Sequence, residues 1–302
     1  MEPETIAVGL DGSVESLAAA RWAADEADRR QAVLRLLHAW ILLAAEAQDT
    51  PPERDQNAGA RQIVRRAVEE VRTRHPGLGI MEELVGSEAV PALLRAADTS
   101  RMVVLGSRAL TAWEGYVLGD VGWDVIGRAE RPVVLVRGSW SAKAAAAEAR
   151  TESARGTPKS AGPRVVVCVG LKRPCDALLT FAFDAAASRG VPLQVLHGRP
   201  LPVHAYVPWG IEPDVAAEVT EDAEKELQQA MAPWRERFPD VPLQLTVLPE
   251  SPSHALVGTT AGAELVAVGR RLHHPLPAPR IGPVAHAAIH HVTCPVAVVP
   301  YS

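Results

Sequence analysis

The chain repeats itself at constant spacing, and that repetition limits its fold more than any other feature. Asp11 and Gly170, like His38 and His197, stand 159 positions apart, whereas Gly106 and Gly269, Gly119 and Gly282, and Pro132 and Pro295 stand 163 apart. A net insertion of four residues (163 less 159) between the two groups reconciles the spacings. A 302-residue chain is long enough for two domains, each with a full core. The duplication therefore requires one supersecondary plan, used twice.

That plan is clearest between Met102 and Arg137. Met102–Leu105 is short, apolar, partly β-branched and followed by glycine, which predicts a buried strand. Gly106, Ser107 and Arg108 open a loop that closes at Gly119. Val121, Val125, Ile126 and Ala129 then recur at helical spacing up to Glu130, Pro132 ends the helix, and Val133–Val136 form a second buried strand. The result is a βαβ unit whose loop lies at the carboxyl end of a parallel sheet, where open α/β sheets bind ligands.

The remaining segments alternate in the same way. The first half predicts strands at Thr5–Leu10, Val33–His38 and Ile80–Val85, with helices from Ser13 to Arg30, Asp55 to His75 and Glu88 to Ala97. Ser13 suits an N-cap, with Glu15 in the first turn. Pro91 falls in the first turn of its helix, where proline is tolerated. The second half predicts strands at Arg164–Val169, Leu193–His197, Leu243–Val247, Leu265–Val268 and Val296–Val299. Its helices run over Cys175–Arg189, Asp214–Phe238, Ser253–Thr260 and from Gly282 to His291. Between the copies, Ser141 to Gly162 is rich in Ala, Ser and Gly and lacks large apolar residues, which predicts a flexible tether. The domains are accordingly 1–140 and 164–302, joined by a linker over 141–163.

Composition excludes several classes. A net charge of −5 and a pI near 6.1 supply no basic footprint for nucleic acid. No apolar run approaches the ~20 residues of a membrane helix, and the acidic start MEPETIAVGLDGS runs into a strand pattern rather than a signal peptide. Cys168, Cys175 and Cys294 follow no disulfide or zinc spacing and suit a reducing cytoplasm.

With Ala7–Ala23, Leu36–Trp40 and the VVLGSRA…VLGDV…RAERPVVLVR segment on one side, and VAVGRR…IGPVAHAAIHHVTCPVAVVP on the other, the chain resembles a tandem universal stress protein. The resemblance covers both halves and leaves out only the tether. It implies two tandem open five-stranded parallel α/β domains of Rossmann-like topology. It also implies an intramolecular pseudo-dimer around Val133–Val136 and Val296–Val299, with further homodimerisation and an unidentified protein partner as additional associations. Members that bind ATP share a loop of Gly, two residues, Gly, nine residues, Gly, then Ser or Thr. Glycines let the backbone approach phosphates, and the following helix N-terminus offers free N–H groups and a positive dipole end.

Carried over by position, the resemblance assigns Asp11, after the strand glycine Gly9, to a ribose and the backbone at Ala39 to adenine. Leu105 and Gly106 start the phosphate loop, Arg108 lies within it, and Gly119, Asp120 and Val121 end it. Two positions depart from the pattern: Ala109 replaces the second glycine, and Asp120 the Ser or Thr. The alanine is tolerable where φ is negative. The aspartate is expected to cap the helix itself and to compete with a phosphate. At about 4 Å and an effective dielectric near 20 the repulsion is ~4 kcal/mol per unit charge. Arg108 or a bound Mg²⁺ would offset it, Asp120 then serving as a metal ligand. In the second half Gly170 replaces the aspartate, Leu272 the second glycine, and Pro283 removes an N–H donor, which marks a structural or regulatory copy.

Other residues carry weaker signals. His286 and His290 share a helix face, but without a third ligand they and His291 fit a helix C-terminus better than a metal. His273 and His274 read as solvated, and His38 and His197 as structural hydrogen-bonding groups at equivalent strand ends. Trp113, Tyr116 and Trp123 flank the loop, with packing the default reading. No paired general acid and base accompanies the glycine segment, which disfavours an adenine-nucleotide hydrolase. The expectation is a cytoplasmic, non-catalytic stress-response protein whose first domain binds ATP or another adenine nucleotide weakly. The alternative is a nucleotide-independent dimerisation or partner-binding scaffold.

Overall fold

A computed structural model describes residues 4–40, 56–109, 116–117, 119–140, 162–173, 175–202, 205–207, 210–211, 213–272 and 281–302. The chain forms two compact units, Met1–Thr157 and Pro158–Ser302. Most of the predicted tether, the connection 41–55, Trp113, and His273 and His274 lie outside the described residues.

In the first unit the parallel strands are β1 (Thr5–Gly9), β2 (Val33–Ala39), β3 (Ile80–Val85), β4 (Met102–Ala109) and β6 (Val133–Arg137). Their order across the sheet is β3-β2-β1-β4-β6. β1 is flanked on both sides, Ile6 aligning with Leu34 and with Met102, and its central residues are buried as the continuous apolar run requires. The chain runs outward from β1 through β2 to β3 and then crosses back, through the helix Ala89–Asp98, to β4 on the other side of β1. The crevice beyond the carboxyl ends of β1 and β4 is therefore the topological switch point.

Helices cover both faces. α1 (Val14–Arg30) packs on β4 and β6 and against α2 (Gln56–Arg74), while α3 (Ala89–Asp98) packs on β2 and β4 and against α4 (Asp120–Arg128). The α1 stripe of Leu17, Ala20, Trp22, Ala23, Ala24 and Ala27 is buried, and its small side chains let the helix lie close to the sheet. Ser13 caps α1 as expected, its hydroxyl accepting the Ser16 N–H at 3.1 Å.

The second unit repeats the order. β7 (Val165–Cys168), β8 (Leu193–Gly198), β11 (Leu243–Leu248), β12 (Leu265–Arg271) and β13 (Val296–Tyr301) are arranged β11-β8-β7-β12-β13, all parallel. α5 (Asp176–Arg189) packs on β7, β12 and β13, and α6 (Pro213–Arg237) on β11. α7 (Pro252–Thr259) packs on β8 and against α8 (Pro283–His291). Phe183 of α5 stacks on Trp234 and Phe238 at centroid distances of 5.6 and 4.9 Å, which seats α6.

Three details differ from expectation. Gly106, Ser107 and Arg108 are not loop: β4 continues through them to Ala109, and Arg108 pairs antiparallel with Val117 of the short β5 (Tyr116–Val117). That return strand supplies backbone partners past the apolar run, so hydrophobicity alone placed the strand end too early. The helix expected from Val121 begins at Asp120. A two-stranded ribbon, β9 (Tyr206–Val207) with β10 (Gly210–Ile211), was not predicted.

Candidate functional site

A cleft of about 540 Å³ opens at the switch point of the first unit. Gly9, Leu105 and Gly106 line its floor at the ends of β1 and β4. Leu37 and Ala39 from β2, with Ala89 and Leu93 from α3, give it an apolar end. Asp11, Arg108, Gly119, Asp120 and Val121 give it a polar end. Every residue assigned from the sequence thus lines one cavity, of a size that suits a small-molecule ligand. A second hollow of about 180 Å³, between α1 and α2, is lined by Gly12, Ile63 and Arg66 among others and is too small for a nucleotide.

The polar end has a defined internal order. Asp11 Oδ1 accepts the Ser13 N–H at 2.9 Å and the Ser13 hydroxyl at 2.5 Å, in an Asx turn that feeds α1. Its Oδ2 lies 3.8 Å from Arg108 Nη2, both side chains being largely exposed. Burial pushes the Asp11 carboxyl up, but the Ser13 hydroxyl and N–H, Ser16 and the Arg108 charge together outweigh it and hold the group below its ordinary 3.8. The sequence suggested Ser13 only as a helix cap; its second role, orienting Asp11, had no separate signal. Leu37, Ala89 and Leu93 were likewise not singled out, although Ala89 and Leu93 are four apart on one helix face.

Gly106 and Asp120 stand in the structure for reasons other than those expected. Gly106 lacks a side chain because α1 leaves no room for one: a Cβ there would lie 2.5 Å from the Glu15 carbonyl carbon and 2.6 Å from the Ser16 nitrogen. Asp120 does not cap α4. The N-cap is Gly119, at φ −64° and ψ 161°, and Asp120 is the first helical residue, exposed and without a hydrogen bond or ion pair among the described residues. Among the described residues, its chain neighbours aside, nothing lies within 4 Å of a Cβ built on Gly119.

The second unit differs from the first at the positions that correspond to the cleft lining. Cys168 stands where the first unit has Gly9, and its thiol points to the Pro252 carbonyl at 3.9 Å. Gly198, the counterpart of Ala39, is pressed against α7: a Cβ there would lie 2.6 Å from Pro252 Cα. Tyr301 covers Gly269, the counterpart of Gly106, at 2.5 Å from a Cβ built on it. Pro283 at the first position of α8 removes an N–H donor.

The His286 and His290 rings lie 4.3 Å apart on α8. Among the described residues no group of three or more His, Cys, Asp or Glu is placed to hold a metal ion. None of the described helices is long and apolar enough to cross a membrane.

The universal stress protein family model matches residues 3–137 and 163–300. A universal stress protein of Mycobacterium tuberculosis is 32% identical over 305 residues, covering 97% of this chain and 96% of its own. One of Mycolicibacterium smegmatis is 28% identical over 306 residues, covering 97% and 96%. The crystal structure of a universal stress protein from Archaeoglobus fulgidus is similar in fold, with a TM-score of 0.65 at 15% identity and full coverage of both chains.

Proposed function

The chain belongs to the universal stress protein family, and from that premise we propose that it is a cytoplasmic, non-catalytic stress-response regulator whose first domain binds an adenine nucleotide weakly. Domain 1 spans 1–140, a linker 141–163, and domain 2, a divergent copy, 164–302. The reading rests on one observation, the convergence of Gly9, Asp11, Ala39, Gly106, Arg108 and Gly119 on a single cleft with an apolar and a polar end. The apolar end suits an adenine ring and Asp11 Oδ2 a ribose hydroxyl, while the first N–H groups of α4 face the place a phosphate would take. ATP is within this ligand class, with Mg²⁺ accompanying the triphosphate only. Three free, buried cysteines are compatible with a reducing compartment.

A specific observation favours the other reading, a nucleotide-independent scaffold for self-association or for a protein partner. Gly106 is demanded by α1, and Asp11 is engaged by Ser13, so both residues have work in a protein that binds no ligand. Calorimetric titration of the full chain with adenosine, AMP and ATP separates the two. Saturable binding at one site per chain, abolished by Ala39→Trp and weakened by Asp11→Ala in variants with native circular dichroism, is expected. No heat with any of these ligands at millimolar concentration would leave the scaffold.

A further inference from the structure

We infer that the first domain's cleft selects adenine ligands of low charge, the nucleoside ahead of the triphosphate, and that Asp120 sets this preference. The inference rests on the adenine-binding reading above and concerns what that site excludes.

Among the described residues lining the cleft, Arg108 is the cation, and its guanidinium already has a carboxylate partner in Asp11 at 3.8 Å. Asp120 is a second carboxylate at the same end, exposed, with no partner among the described residues. One positive and two negative side chains leave the phosphate end with an excess negative charge. The α4 N-terminus offsets this only in part. Its dipole amounts to about half an elementary charge, and the carboxylate at its first position carries a whole one and sits in the same field.

The apolar end carries no such penalty. Leu37, Ala39, Ala89 and Leu93 present uncharged surface to a base, and Asp11 can accept a ribose hydroxyl through Oδ2 whether or not phosphates follow. Binding energy therefore comes from the nucleoside portion, and each added phosphate charge brings a like charge toward Asp120. Because Asp120 is exposed, its repulsion lies toward the aqueous end of the Coulomb range. The discrimination expected is about tenfold, not a thousandfold.

The test is calorimetric titration of the full chain and of Asp120→Asn with adenosine, AMP and ATP, each with and without Mg²⁺. Without metal the wild type should bind adenosine about tenfold tighter than ATP, with AMP between. Asp120→Asn should tighten ATP by about the same factor and move adenosine less than about twofold. Equal or tighter binding of ATP in the metal-free wild type would overturn the inference. So would a variant that shifts adenosine and ATP alike, or one that weakens ATP with Mg²⁺, which would make Asp120 a metal ligand. If adenosine binds but the selection is absent, only this inference fails. If neither chain binds adenosine, AMP or ATP, the adenine reading falls and takes the inference with it.

Discussion

The Nδ1 of His38 donates to the Leu10 carbonyl at 2.8 Å, and the second unit reproduces the bond between His197 Nδ1 and the Val169 carbonyl at 2.9 Å. A carbonyl only accepts, so Nδ1 is protonated in both imidazoles. In each unit the bond ties the end of the second strand to the residue that follows the first strand, where the sheet opens toward its loops. His197 is buried, and its replacement by Leu leaves the Val169 carbonyl short of a donor. We expect His197→Leu to cost about 1–3 kcal/mol, read as a lower urea midpoint at unchanged slope. Nitrogen NMR should show a protonated Nδ1 at both positions, and an unprotonated Nδ1 at either would contradict the assignment.

Gly106 and Gly119 make opposite predictions although both line the cleft. A side chain at Gly106 would meet helix backbone at 2.5 Å, which cannot give way as a flexible side chain could. Gly106→Ala should therefore destabilise the first unit by about 1–3 kcal/mol. Gly119 has negative φ and caps α4, so Gly119→Ser, which keeps a capping residue there, should stay within about 0.5 kcal/mol of wild type. Thermal melts of the two variants side by side decide the matter. Equal losses would mean that the α1–β4 approach is not the constraint on Gly106.

These contrasts show where sequence reading succeeds. Strand and helix placement followed from period and punctuation, because burial of β1, β4 and β6 imposes continuous apolar runs and Pro132 and Pro295 stand between each helix and the strand after it. The cleft-lining residues were legible through the resemblance, because they fall at fixed distances from those strand ends. The reason for a residue was less legible than its position. Gly106 is glycine on account of Glu15 and Ser16, which lie some ninety residues away in sequence (106 less 15 or 16) and signal nothing locally. The extension of β4 to Ala109 depended on a return strand at Tyr116–Val117 too short to carry a period. The approach of Pro252 to Gly198 in the second unit is again a tertiary contact.

The repeat also provides an internal control at a helix end. Gln31 terminates α1 with φ 53°, and Gly190, its counterpart 159 positions later, terminates α5 with φ 64°. Left-handed backbone strains a residue with a Cβ but not glycine. Gln31 is exposed, so its side chain offers little packing in compensation. Gln31→Gly should raise stability by about 0.5–1 kcal/mol, the relief of strain exceeding the extra entropy of the unfolded chain. Gly190→Gln should lower it by a similar or larger amount. A destabilised Gln31→Gly variant would refute the claim that this cap is strained.

Asp11 should leave a mark on acid stability. Its carboxyl is held below 3.8 in the folded chain, burial being outweighed by the Ser13 and Ser16 hydrogen bonds and by Arg108. A depressed folded value contributes stability that is fully present above 3.8 and disappears as pH falls through the folded value. Asp11→Asn, which can keep the Asx turn, should be less stable than wild type near neutrality and converge with it in strong acid. Urea midpoints measured from pH 6 downward test this in steps of about half a unit. A difference that persists unchanged into strong acid would assign the effect to lost geometry instead of lost charge.

The cysteines should be silent in the folded chain. Burial pushes Cys168 up to about 12, and burial with the neighbouring Asp176 charge pushes Cys175 up to about 11. Thiolate is the reacting species, and at pH 8 Cys175 holds roughly one part in a thousand of it and Cys168 less. Cys294 is buried as well. Ellman's reagent at pH 8 should therefore find almost no prompt thiol in the native chain and three equivalents in denaturant, since all three cysteines are free. Labelling that follows slowly should track opening of the second unit and slow further in osmolytes that favour burial. Prompt native labelling of one thiol would show that α5 or β7 opens far more often than its packing implies, and mass mapping would identify which.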